Sequence, residues 1–129
     1  MFCRSVSQYL ADEAMKPYVA PLGEALAQLQ QATMWFMQNA MKKPDNAGAG
    51  STDYMHLFGL VALAYMWAQM ARAAQEKLKN GANGSEDRMK AKLVTGKFFM
   101  ERVLPETAAH LKRITTGADT MMALPAEAF

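Results

Sequence analysis

Two histidines, one cysteine and twelve acidic residues are the side chains of this sequence best suited to proton transfer, metal binding or nucleophilic attack. His56 and His110 fall on different predicted helices. Neither is read with a histidine, cysteine or carboxylate at metal-ligand spacing, so each is expected as a core or surface histidine. Cys3 stands near the terminus with no evident base, which argues against a nucleophilic thiolate. The glycines of KPDNAGAGST lack the preceding strand that a phosphate cradle requires, and no G-x-G-x-x-G or Walker loop occurs. The carboxylates fall on faces expected to be exposed, where burial cannot raise their pKa. The 12 methionines suit either an adaptable pocket or ordinary core filling. Residue chemistry thus predicts no catalytic, cofactor-binding or metal-binding residue, and a noncatalytic helical domain.

The elements that would carry these residues are all helical. Ala, Met, Leu, Gln, Glu and Lys dominate, and no strand-like alternation occurs. The fold class predicted is all-α: an up-down bundle of three long helices plus a short N-terminal helix. The short helix is placed over about residues 5–15, stopping before Pro17, with residues 1–16 read as the end of a preceding segment and 17–129 as the bundle. The first long helix starts near Pro17 to Pro21 and runs to about Lys42. KKPDNAGAGSTD is read as a connection, although Asp45 is an acceptable first-turn residue for the next helix. The second long helix covers about residues 52–79 and ends at Asn80-Gly81. Ser85 is the expected cap of the third, which runs to about Thr116 and is kinked or divided by Pro105.

Residues 54–71, YMHLFGLVALAYMWAQMA, carry no formal charge and touch the lower edge of what spans a bilayer. His56, Gln69, Gly59 and several alanines dilute that stretch, and Asp53 and Arg72 close it. Its neighbours are amphipathic, so a central helix surrounded by protein is the reading preferred over a membrane span. A net charge of +2, with Arg88, Lys90, Lys92 and Lys97 flanked by acidic residues, gives no nucleic-acid footprint. One cysteine and no apolar leader before Asp12 and Glu13 lead to a cytoplasmic expectation.

The run TDYMHLFGLVALAYMWAQMA, the segment KKPDNAGAG, and KLVTGKFFMERVLPETAAHLKRITTGADTMMALPAEAF resemble the C-terminal helical domain of a bacterial acyl-CoA dehydrogenase subgroup. The module is known as the acetyl-CoA dehydrogenase-like C-terminal domain, and the resemblance runs closest to 3-methylmercaptopropionyl-CoA dehydrogenases. It covers about residues 21–129. The resemblance implies a parent enzyme in which a carboxylate removes the α-proton of an acyl-CoA thioester while FAD accepts hydride from the β-carbon. In that family the flavin site and catalytic glutamate belong to a larger region upstream, so none of those residues is carried over. The implied partner is the catalytic core of the parent, with a homo-oligomer as a further possibility. The rival readings are a stand-alone helical adaptor for a protein partner and a small-ligand bundle with a Met-rich interior.

The candidate interface residues are Trp35, Ala91, Val94 and Phe98. Trp35 shares a helix face of about 80° with Glu24, Gln28, Gln31, Gln38 and Lys42, interrupting a polar surface. Ala91, Val94 and Phe98 form an apolar strip outside the main stripe of their helix. Two readings of Trp35 stand: a partly exposed aromatic covered by the N-terminal segment around Tyr9, or an anchor against a catalytic core or second subunit, since tryptophan is enriched at the centres of protein interfaces.

Overall fold

Helix α1, Lys16–Asn39, begins where Pro17 can occupy the first turn without losing an intrahelical bond. The computed structural model describes residues 12–129. The short helix expected over about residues 5–15 lies largely outside them, and Glu13 to Met15 form a turn. Along α1 the buried residues Tyr18, Val19, Leu22, Ala25, Leu29 and Ala32 recur at three- and four-residue spacing, one stripe facing the bundle.

Helix α2, Pro44–Lys79, is longer than the sequence reading allowed. The segment read as a connection forms its first two turns. Pro44 sits in the first turn, Asp45 follows it there, and Lys77 and Lys79 occupy the last turn, all favourable against the helix dipole. Of the two glycines that suggested a loop, Gly48 has open space around it and Gly50 serves packing. A Cβ on Gly50 would lie 2.7 Å from Phe36 Cζ, so only glycine lets this turn meet the Phe36 ring. Beyond α2, Gly81, Asn83 and Gly84 adopt positive φ, as expected for NGANGS. The cap expected from Ser85 does not form: its hydroxyl donates back to Ala82 O at 2.6 Å, leaving the first-turn amides to Glu86 and Asp87 by proximity of charge alone.

The third limb is bent, comprising α3, Glu86–Phe98, a π turn, Phe99–Val103, and α4, Glu106–Thr116. Proline cannot donate to the carbonyl four residues back, and its ring clashes with it. The chain relieves this by widening just before Pro105: Leu104 N–H bonds Phe99 O at 2.9 Å, five residues back. After α4, Gly117 turns at φ 76, and Ala118 N–H is taken by Asn46 Oδ1 at 3.0 Å. Lys43 Nζ donates to Asp119 Oδ1, fastening the tail to the start of α2.

The outcome is an up-down-up bundle of three limbs, with no strand among the described residues. Its centre holds Val19, Leu57, Leu104 and Ile114, each essentially sealed from water. Burial of such side chains contributes about 1.5–3 kcal/mol apiece. Alanines 32, 64 and 71 are buried with them. Tyr18 OH donates to Leu93 O at 2.8 Å, and burial pushes its pKa up. Thr33 gives its only hydroxyl proton to Leu29 O at 2.9 Å, so Tyr54 OH must be the donor in their 2.9 Å bond.

The stretch 54–71 is not enclosed on all sides. Leu57, Val61, Ala64, Ala68 and Ala71 are buried, while Met55, Phe58, Leu63 and Met66 are each more than half exposed. Its apolar circumference therefore has two destinations: one side is the bundle core, and the other faces outward. By length and composition α2 is long and apolar enough to cross a membrane, and 33% of its most apolar window is buried within the bundle.

Candidate functional site

The closest gathering of titratable groups joins α2 to α4. Asp53, one residue outside the uncharged stretch, reaches His110, which lies on the buried stripe of α4 between Thr107 and Ile114. His110 Nδ1 stands 2.7 Å from Asp53 Oδ1, and Arg113 Nε donates to the same oxygen at 2.7 Å. A carboxylate only accepts, so Nδ1 carries the proton and donates to it. Arg113 Nη2, 2.9 Å from that Nδ1, then meets a donor rather than a lone pair, and its bond to Asp53 runs through Nε. Burial works to raise the Asp53 pKa. The hydrogen bonds from His110 and Arg113 and the guanidinium charge outweigh it, holding the carboxyl below its ordinary value.

On the far side of the ring, His110 Nε2 lies 3.8 Å from Glu106 Oε1, beyond direct hydrogen bonding. The ring stacks on His56 at 5.5 Å and 11°. Glu106 precedes His110 by one helical turn and Asp53 precedes His56 by three residues. Those spacings were open to inspection in the sequence, and the sequence reading passed over them. No group of three metal-ligating side chains occurs among the described residues. What the arrangement does chemically is hold two helices together: both donors end on Asp53, and no hydroxyl or thiol faces Nε2 in the contacts described.

Three clefts lined by described residues open on the surface, and those three do not include Asp53, His110 or Arg113 among their walls. One of ≈ 270 Å³ lies at the bend of the third limb between Gln28, Leu104 and Pro105, and the Gln28 Oε1 oxygen is buried there without a hydrogen-bond partner. A second of ≈ 460 Å³ is an apolar groove between α1 and α2, walled by Leu29, Met34, Tyr54 and Phe58. The third, ≈ 510 Å³, runs beside the start of α1 and is lined by Pro17, Tyr18, Leu93 and Val94, with Lys90 and Lys97 at its edge.

The four candidate interface residues are not brought together. Trp35 is half-buried; its ring stands edge-on to Phe36 at 5.5 Å and covers Gly117, so it packs within the chain at the tail end of the bundle. Ala91, Val94 and Phe98 are exposed on α3, and Val94 borders the groove beside the start of α1. Tyr18, which lines that groove, lies about 25 Å along α1 from Trp35 at the usual helical rise. The sequence reading did not single out the exposed methionines of α1 and α2. Its signal was the absence of charge all around residues 54–71, which was assigned to enclosure by protein.

The described residues form an all-helical bundle whose short connections set its three limbs antiparallel. The chain belongs to the acetyl-CoA dehydrogenase C-terminal-like family, whose model matches residues 2–125. It is similar to 3-methylmercaptopropionyl-CoA dehydrogenase of Ruegeria pomeroyi, 31% identical over 101 residues, which cover 78% of this chain. The match spans only 17% of the length of that relative.

Proposed function

We propose that this chain acts as the noncatalytic C-terminal helical domain of an FAD-dependent acyl-CoA dehydrogenase, packed against the catalytic core. The parent reaction is α,β-dehydrogenation of an acyl-CoA thioester, with the flavin accepting hydride. The observation that carries the reading is the place of the exposed Val94 and Phe98 strip. Val94 of that strip borders the groove at the entry to α1, where Gln75 Nε2 donates to Ala14 O at 2.8 Å. A C-terminal module follows its catalytic region in sequence, so the apolar strip nearest that entry is the surface best placed to meet it. The three clefts described above do not fit a flavin dinucleotide: none is lined by a glycine turn or an arginine pair for a diphosphate. In this reading the flavin belongs to the core, and the present chain serves in docking, shaping of substrate access, or subunit contacts.

Produced alone, the chain is expected to retain no flavin and to reduce no acceptor dye with any acyl-CoA. Flavin absorbance in the purified protein, or dye reduction, would overturn the reading. Sequencing of the DNA upstream should reveal a flavoprotein core in frame, and its absence would count against a fused parent.

A further inference from the structure

The outward side of α2 is a long apolar surface that neither the ionic tie nor the Val94 strip uses. Met55, Gly59, Ala62 and Met66 fall along one line of the helix at 100° per residue, with Phe58 and Leu63 on either flank. Met55, Phe58, Leu63 and Met66 are 63%, 55%, 52% and 53% exposed. Across the groove, α1 adds Met34 and Met37. No charged residue occurs from Tyr54 to Ala71 on α2 or from Ala25 to Asn39 on α1. A solvated pair of helices would carry charge along such a length, and contiguous apolar surface of this kind marks an interaction site.

We propose that this surface pairs with the same surface of a second copy of the chain, through an antiparallel, two-fold contact centred between Gly59 and Leu63. Three observations favour a second copy as the occupant. First, the face carries a ridge and a groove side by side. Met55, Leu63 and Met66 project from α2, and the ≈ 460 Å³ groove walled by Leu29, Met34 and Phe58 runs next to them. A two-fold axis seats the ridge of each copy in the groove of the other, the self-complementarity that an isologous dimer requires. Second, the ends of α2 have opposite charge. Asp45 lies in its first turn and Lys77 in its last. A contact centred on residue 61 brings Asp45 of one copy toward Lys77 of the other and sets the two helix dipoles antiparallel.

The third observation is size. From Met55 to Ala73 the face runs about 27 Å along α2 at the usual rise, and two helices make it about 18 Å wide. That is about 500 Å² per copy, or about 1,000 Å² for the pair, which reaches the lower bound of a specific protein interface. Gly59 and Ala62 at the centre have no bulk to hold the helices apart; a Cβ on Gly59 would meet nothing within 4 Å. Pairing of this kind goes beyond the domain reading and does not depend on it, because neither flavin nor acyl-CoA enters the contact.

Sedimentation equilibrium on the intact chain tests it directly. The expected mass is twice 14.2 kDa, falling to 14.2 kDa in Ala62→Glu and in Met66→Glu with the helical circular dichroism unchanged. Both positions are exposed, so neither substitution should prevent folding. A second arm uses Cys3→Ser as background: mild oxidation should link Ala62→Cys into a covalent dimer and leave Val94→Cys unlinked. A monomeric wild-type chain would overturn the proposal. So would a dimer that survives both glutamate variants, or equal cross-linking at the two cysteines. Flotation of the chain with phosphatidylcholine vesicles, abolished by Ala62→Glu, would also overturn it and assign the face to a bilayer. None of these outcomes bears on flavin retention, so a failure here leaves the domain reading to its own experiment.

Discussion

The Asp53 carboxylate receives two donors on one oxygen, from His110 and Arg113, and so links α2 to α4 at a point where His110 is nearly buried. Replacing it with alanine removes an ionised acceptor and leaves the His110 Nδ1 proton without a partner. Hydrogen bonds to a charged group contribute about 1.5–3 kcal/mol, so Asp53→Ala should lower unfolding free energy by an amount in that range or just below it. The pH dependence follows from the direction of the shift. A carboxyl held below its unfolded pKa stabilises the fold fully above that unfolded value, and the contribution disappears as pH falls through the lowered folded value. The stability gap between wild type and Asp53→Ala should therefore be constant near neutrality and shrink below about pH 4. Urea melts across that range check it; a gap that widens in acid would contradict the assignment. The tie was only half legible in the sequence. His110 falls on the apolar stripe of its helix, and Glu106 one turn before it was visible, but the partner that matters comes from 57 residues away. Only the packing of α2 on α4 brings it there.

Helices in this bundle cross where glycine permits it, and the same residue type elsewhere merely weakens a helix. A Cβ on Gly96 would lie 3.0 Å from Tyr18 Cε1 and 3.3 Å from Trp67 Cε3, so α3 rests directly on aromatic rings of α1 and α2. On α1, a Cβ at Gly23 would meet nothing within 4 Å. Gly23→Ala should therefore stabilise by about 0.5–1 kcal/mol through helix propensity. Gly96→Leu should destabilise by about 1–3 kcal/mol through overpacking against those rings. Thermal melts of the pair check both signs, and stabilisation by Gly96→Leu would mean that the crossing is looser than these distances. The helices themselves were legible because apolar periodicity, Pro17, the NGANGS turn and Pro105 all mark real boundaries. The start of α2 was misread because glycine in sequence signals a turn, whereas Gly50 is there to admit the Phe36 ring. Its outward face was misassigned because periodicity shows that a side is apolar without saying whether the same chain covers it.

At the scale of the whole molecule, methionine is distributed unevenly between interior and surface. Met15, Met89 and Met100 are buried, while Met37, Met41, Met55 and Met66 stand in the open. Dilute peroxide should therefore oxidise Met41 well before Met89 or Met100, as read by peptide mass spectrometry. With the α2 faces paired, Met55 and Met66 should lag behind Met41 despite their exposure in the single chain. Equal rates for all four outward methionines would speak against pairing. The two tryptophans are divided just as unevenly along the bundle. Trp35 rests on Phe36 and Gly117 at the tail end, and Trp67 lies against Phe99 and beside Gly96 toward the other. Each is half-buried, so its emission responds to the loosening of its own end. The Trp35→Phe and Trp67→Phe variants thus turn one polypeptide into two optical probes of cooperativity. Coincident transitions would mean that the bundle melts as one body. A tail-end signal that fades first would show that the Gly117 turn, with its Asn46 and Lys43 fastenings, comes undone while the opposite end still glows as native.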